Sequence, residues 1–361
     1  MSGESLDERY MRRALLHAAR GQGRTTPNPM VGAVVVSSDG VVVGHGWHAR
    51  AGGAHAEVHA LEAAGERARG GTLYVTLEPC CHTGRTGPCT NRVIGAGIAR
   101  VAAAMQDPDP RVAGKGFTML RAQGVAVDEG LCRDEAARLN QAFITTRTHG
   151  RPLVVLKAAT SLDGRVAAAR GQRTLLSSRE ANLKTQLLRA SVDAIAVGSE
   201  TMRVDDPLLT ARDCHRVRPL VRVVFDRRLR TPPTARVLST LADGPVIIVT
   251  EPGGDDHRHR ATALTSAGAL VRETGGLRQA VEGLLQFDVS TLLVEGGPRL
   301  HEAFARAGLV DRVHLIVTPH VLGANGVAWL DTETLPLHSG KMIVETRGED
   351  TWIEVDVHRN H

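Results

Sequence analysis

The chain has 361 residues, 42% hydrophobic and 23% charged, the balance of a soluble globular protein and long enough for two domains at roughly 100 to 200 residues each. No run of about 18 apolar residues could span a bilayer, and the opening MSGESLDERYMRRALLHAAR has acidic residues and a helical rhythm instead of signal-peptide features, so a cytoplasmic protein is expected. A net charge of +5 permits nucleic-acid binding, but aromatics make up 3% without an interleaved basic patch, which favours small anionic substrates.

Ser5 with Glu8 forms a capping box ahead of an apolar stripe at Leu6, Met11, Leu15 and Ala18, predicting a first helix. VGAVVV and VVVGHGW read as a hairpin turned at Asp39-Gly40. HAEVHALEAAGERARG reads as a helix stopped by Gly70-Gly71, followed by strand TLYVTL and a short helix from about Pro88. Strand ARVAAAM, helix KGFTMLRAQ, strand VAV and a helix from about Arg133 to Thr146 complete an α/β pattern. His149-Gly150-Arg151-Pro152 breaks the rhythm, so domains are expected at 1–150 and 151–361. The second half alternates again: strand LVVLKAAT, a helix around SREANLKTQLLRA, strands DAIAVG, LVRVVFD and PVIIVT, a helix around LRQAVEGLL, strand TLLVEGG, helix PRLHEAFARAG and strand RVHLIVT. Gly253 to Arg260 reads as an exposed polar loop.

The chemistry concentrates where five cysteines are most unevenly spread, since three lie within residues 80 to 89. That distribution suits a metal better than a disulfide framework. His55-Ala56-Glu57 opens a helix, and Cys80 and Cys89 each follow a proline, which favours the first helical turn. A thiol at a helix start sees unpaired amides and the positive end of the dipole, both favouring the thiolate that ligates zinc. His55, Cys80 and Cys89 leave a fourth position for water, and Glu57 is placed to move its proton. His-x-Glu followed by Pro-Cys-x-x-Cys marks zinc nucleobase deaminases, although eight residues here separate Cys80 from Cys89 where the short motif has two. His82 and Arg85 in that insertion are candidates to read a substrate. A closed structural site completed by Cys81, His82 or His59 is an alternative, as is Cys81 in place of Cys80. His59 otherwise reads as packing or support of the ligands, Cys132 and Cys214 as small buried residues, and His45 and His48 as pocket-lining or core histidines.

In the second half VEGGPRL reads as strand, glycine turn and proline at a helix start, which offers amides to a phosphate. No Gly-x-Gly-x-x-Gly follows a strand. TPNPMVGAVVV, HAEVHAL and TLEPCCHTGRTGPC, then KAATSLDGR, TMRVDDPLLTAR and VEGGPRL, together resemble the bifunctional deaminase-reductases of riboflavin biosynthesis over nearly the whole chain. The resemblance implies a cytidine-deaminase-like three-layer domain followed by a dihydrofolate-reductase-like domain. It implies zinc and NADPH as cofactors, a phosphorylated pyrimidine as substrate, and a homo-oligomer with no nucleic-acid or membrane partner. It assigns zinc to His55, Cys80 and Cys89, the proton shuttle to Glu57, and pyrimidine contacts to Asn28, His82 and Arg85. NADPH falls to Ala159, Leu175, Thr201, Asp205, Gly297, Pro298, Arg299 and Leu300, and the second substrate to Arg173, Arg189, Leu209, Arg212 and Glu295. Two rivals stay open: a zinc deaminase of nucleosides or RNA with an unrelated second domain, and a noncatalytic zinc-stabilised module.

Overall fold

In a computed structural model, which describes residues 4–81, 87–330 and 339–357, the Ser5 hydroxyl accepts from the Glu8 amide and the Glu8 carboxylate accepts from the Ser5 amide. This capping box starts α1 (Leu6–Ala19). The helix buries Met11, Ala14, His17 and Ala18, while Leu6, expected on the apolar stripe, is exposed. β1 (Gly32–Val36) and β2 (Val42–Trp47) form the expected antiparallel hairpin, with Gly40 in the left-handed region at the turn. α2 (Ala56–Ala64) stops at Gly65, earlier than the expected Gly70, because Gly65 takes φ 54°. β3 (Thr72–Val75), α3 (Cys89–Gly95), β4 (Arg100–Ala103), α4 (Lys115–Ala122) and β5 (Ala126–Glu129) follow, giving a sheet ordered β2-β1-β3-β4-β5.

Alternation along these strands builds two cores. Ala33, Val35, Leu73, Val75, Val101 and Ala103 meet Ala60, Val93 and Phe117 of α2, α3 and α4. Val34, Val36, Tyr74 and Ala102 meet Met11 and Ala14 of α1, Ala136 of α5 (Arg133–Leu139) and Phe143 of α6 (Gln141–His149) on the other face. The result is three layers. The single helix expected from Arg133 to Thr146 is thus two helices. They part at Asn140, whose side chain accepts from the Met30 amide at 2.8 Å and donates to the Met30 carbonyl at 2.9 Å. Cys132 and Cys214 are half-buried, contrary to the expectation of burial.

The chain divides into two compact units, Met1–Gly150 and Arg151–His361. The second begins with β6 (Leu153–Thr160) and β7 (Arg165–Ala167), then α7 (Arg179–Ser191), β8 (Ala194–Gly198), α8 (Ser199–Asp205), β9 (Val221–Phe225) and β10 (Val246–Thr250). α9 (Asp255–Ser266) corrects the expected polar loop, since all but Leu264 of this helix lies outside the core and leaves no apolar stripe to read. β11 (Leu270–Glu273), α10 (Leu277–Gly283), β12 (Thr291–Val294), α11 (Pro298–Arg306), β13 (Arg312–Val317), β14 (Val327–Ala328), β15 (Ser339–Arg347) and β16 (Asp350–Val357) complete it.

The main sheet runs β11-β10-β9-β8-β12-β6-β13-β16-β15, parallel through β13 and antiparallel across the last hairpin. Its central strands are almost continuously apolar, as strands covered on both faces must be. Arg151, 1% exposed, anchors the start of this unit by a two-pronged bond to Asp311.

Candidate functional site

In the first unit, His55 caps the start of α2, which puts Glu57 in the first turn, while Cys89 opens α3 directly after Pro88. Cys80 follows β3 by way of Thr76 to Pro79 and is pinned by the Thr90 amide, which donates to its carbonyl. His55 Nδ1 lies 3.1 Å from Cys89 Sγ and 3.5 Å from Cys80 Sγ, and the Cys89 amide points at Cys80 Sγ at 3.4 Å. Among the described residues these three form the one group of ligand type, with all donor atoms within 4.8 Å of one another. Cys81 and His59 stand outside it, and His59 is exposed.

The donor set fits zinc: one imidazole and two thiols, with room for a fourth ligand. A hydrogen bond from Cys89, together with His55 and the Cys89 amide, pulls the Cys80 thiol well below its ordinary value. The same contact pushes the Cys89 thiol up, and the Cys80 bond raises His55 above its ordinary value. Glu57 is 3% exposed, and burial pushes its carboxyl up, the direction a proton carrier needs near neutrality.

Behind the ligands lie two buried residues: Glu78, which the sequence alone did not single out, and His48, expected as a pocket-lining or core histidine. Glu78, buried beside Pro79-Cys80, accepts from the amides of Asp107, Gly114 and Gly116 at 3.1, 2.9 and 2.8 Å, and so fixes the strand end to the start of α4. His48, buried, stands edge-on to His55 with ring centroids 5.5 Å apart. Its Nδ1 faces the Ala54 carbonyl at 3.1 Å and must donate, so its Nε2 accepts from the Asn28 amide at 3.1 Å. Asn28 is thereby brought to the site. His45 is exposed and stacks on His17 instead. His82 and Arg85 lie outside the described residues.

In the second unit a cavity of about 540 Å³ opens at the carboxyl ends of β8, β9 and β10, where ligands of open parallel sheets bind. Thr201, Gly297, Arg299 and Leu300 line it, together with Arg227, Arg228 and Arg230. Gly297 takes φ 79° as the cap of α11, with Pro298 in its first turn. This is a phosphate-binding geometry, and with the arginines it fits an anionic dinucleotide. Four residues assigned to the cofactor lie off the lining: Pro298 in the first turn of α11, Ala159 on β6, Asp205 at the end of α8, and Leu175, which is 79% exposed.

Of the residues assigned to the second substrate, Arg189 and Glu295 come together. Arg189 Nε reaches Glu295 Oε1 at 2.8 Å, and its Nη1 donates to the Thr210 carbonyl at 3.0 Å. Burial pushes the Glu295 carboxyl up, but Arg189 and Lys157 outweigh burial and hold it below its ordinary value. Lys157, within the quoted motif yet not singled out, sits in this cluster, and burial lowers its ammonium. Leu209 is buried in a left-handed conformation. Arg173 faces Asp205 at 3.9 Å and, like Arg212, is exposed.

Residues 4–105 match the cytidine and deoxycytidylate deaminase zinc-binding region, and residues 152–353 match the RibD C-terminal domain. The riboflavin biosynthesis protein RibD of Aquifex aeolicus is 40% identical over 353 residues, covering 96% of this chain and 97% of its own. That of Escherichia coli is 41% identical over 334 residues, covering 88% and 89%. Among solved structures, Acinetobacter baumannii RibD superposes with TM-score 0.87 at 36% identity, covering 98% of this chain and 99% of that one. A Thermotoga maritima diaminohydroxyphosphoribosylaminopyrimidine deaminase and reductase gives 0.84 at 33%, with the same coverage. A zinc-binding cytidine-deaminase-like domain and an NADPH-dependent reductase domain thus stand in one chain, as the motifs implied, and the chain belongs to the RibD family, the bifunctional deaminase-reductases of riboflavin biosynthesis.

Proposed function

We propose that this chain first deaminates a diaminohydroxy-phosphoribosylaminopyrimidine in residues 1–150 and then reduces its ribosyl group to ribityl in residues 151–361. One observation carries the reading: the same chain holds a His-Cys-Cys group beside a buried carboxylate and a strand-end cavity walled by a glycine turn and arginines. When bound, zinc supplies Lewis-acid activation of a water molecule near neutral pH. His55, Cys80 and Cys89 would hold the metal. Glu57 takes the water's proton and returns it to the departing amine, a role its raised affinity for protons suits. Asn28, whose amide hydrogen is committed to His48, offers its oxygen to the pyrimidine. By resemblance, His82 and Arg85 complete the pyrimidine contacts.

NADPH supplies hydride to the ring-opened sugar. The turn Gly297, Pro298, Arg299 and Leu300, with Thr201 beside it, would hold its phosphates. Ala159, Leu175 and Asp205 join this set by resemblance. Glu295, held by Arg189, orients the sugar hydroxyls, and the Lys157 ammonium beside it supplies a proton to the nitrogen on C1, which takes up the electron pair of the C1=N bond as hydride adds to C1. Because Arg189 is spent on Glu295, the sugar phosphate falls to the exposed Arg173 and Arg212, with Leu209 as an apolar contact. The enzyme works in the cytoplasm, where thiols stay reduced for metal binding, as a homo-oligomer without nucleic-acid or membrane partners.

A coupled assay with the pyrimidine substrate tests the reading by following ammonia release and NADPH oxidation together. Ammonia should appear first and NADPH should be consumed only by the deaminated product. Release of ammonia from cytidine or guanine, with no NADPH binding, would sink it.

A further inference from the structure

His301 has no part in the two steps above, yet it is 2% exposed, four residues past the Gly297 cap of α11. Its ring partners dictate its chemical state. Nε2 lies 3.0 Å from the Val294 carbonyl, which only accepts, so Nε2 carries hydrogen. Nδ1 lies 2.8 Å from Trp329 Nε1, whose N–H only donates, so Nδ1 presents a lone pair. A single neutral tautomer satisfies both. Protonating Nδ1 would set two N–H groups against each other. Burial acts the same way, lowering the imidazole to about 4.

Trp329 is itself pinned. Its amide donates to the Gly164 carbonyl at 3.2 Å, next to the small ribbon of β7 and β14. Asp163 accepts from the amides of Leu322 and Gly323 at 3.0 and 2.8 Å, tying the SLDGR segment to the stretch that carries Trp329. The indole therefore transmits the position of the 161–165 segment to Val294, the residue immediately before Glu295. Lys157 of β6 and Glu295 after β12 act electrostatically on the imidazole, and Arg189 of α7 is bonded to that same Glu295.

We propose that Trp329 and His301 are a positioning pair of the reductase. Trp329 locks His301 in its Nε2–H tautomer, and His301 holds the Val294 carbonyl so that Glu295 and the Gly297 turn stay in place. This rests on the reading that Glu295 and the Gly297 turn serve reduction.

The test uses the full-length, zinc-loaded protein. In Trp329→Phe, kcat for NADPH oxidation should fall on the order of tenfold, the usual effect of losing a partner that orients a functional group, while ammonia release is unchanged. Its kcat profile should also gain an acid limb below the ordinary histidine value of about 6.5, because Nδ1 loses the opposing N–H while burial still disfavours the imidazolium. The double variant Trp329→Phe, His301→Gln should lack that limb. In the unaltered protein, nitrogen NMR of His301 should report the Nε2–H tautomer throughout the neutral range. A protonated ring at pH about 6 in the unaltered protein, or a rate loss in Trp329→Phe without the new limb, overturns the pair. If Glu295→Gln loses reduction while Trp329→Phe keeps it, the pair alone falls; if Glu295→Gln keeps full reduction, the underlying site reading falls and the pair with it.

Discussion

In the proposed reaction Glu57 moves a proton while His55, Cys80 and Cys89 hold the metal, and experiment separates the two roles cleanly. Glu57→Gln should keep zinc by metal analysis while ammonia release drops roughly 10²- to 10⁴-fold, the usual worth of a positioned acid-base group. Cys80→Ala and Cys89→Ala should each lose zinc, and Cys81→Ala should retain it, since Cys81 stands outside the ligand group. Full zinc in Cys80→Ala would reassign the ligands. That the three ligand-type residues come together was legible because residue type and order alone point to them. Glu78 was not, and of His48 only a pocket-lining or core place was readable, because their partners are the amides of Asp107, Gly114 and Gly116 and the carbonyl of Ala54, contacts that side-chain identity does not encode. Lys157 was hidden for a related reason: its cluster partners, Arg189 and Glu295, come from segments far along the chain.

At the scale of elements, α2, which carries Glu57 behind the His55 cap, lies hard against β2. A Cβ built on Gly46 would stand 2.5 Å from the Ala56 carbonyl oxygen and 2.6 Å from His59 Cβ. Gly46→Ala should therefore push α2 outward, lowering the melting temperature and ammonia release together, by roughly 1 to 3 kcal/mol of stability for such overpacking. α1 is tied to the sheet by a charge that responds to acid. Arg100 donates to Asp7 at 2.6 Å and chiefly holds its carboxyl below the ordinary value. A depressed carboxyl stabilises the fold above its unfolded pKa of about 3.9 and loses that contribution as pH falls through the lower folded value. Asp7→Asn should thus weaken the protein slightly at neutral pH, by less than about 1 kcal/mol given solvent screening, and converge with the unaltered protein in acid, as read by denaturant titration. Periodicity revealed the buried elements well. It failed at α9, where only Leu264 is buried, and at Asn140, where a side-chain grip on Met30 rather than a helix breaker parts α5 from α6.

For the whole molecule, the two compact units imply separable chemistry. Chelating zinc should abolish ammonia release and leave NADPH oxidation by the deaminated substrate intact; loss of both would show that reduction depends on the metal unit. The break at Gly150 was readable because His149-Gly150-Arg151-Pro152 interrupts an otherwise regular alternation, whereas the crossing order of the second sheet was not, since adjacency of distant strands leaves no local trace. That order also sets a timetable for synthesis. In the first unit, strands pair with partners that emerge before residue 130. In the second, β6 must wait for β12 and β13, so residues 153–160 find their neighbours only once residues 291–317 have been made. Long-range parallel pairing is slow, and amino-terminal units fold first on the ribosome. The nascent chain therefore acquires its metal-binding half while its reducing half is still an unclosed sheet, and chains cut short before residue 291 should still deaminate.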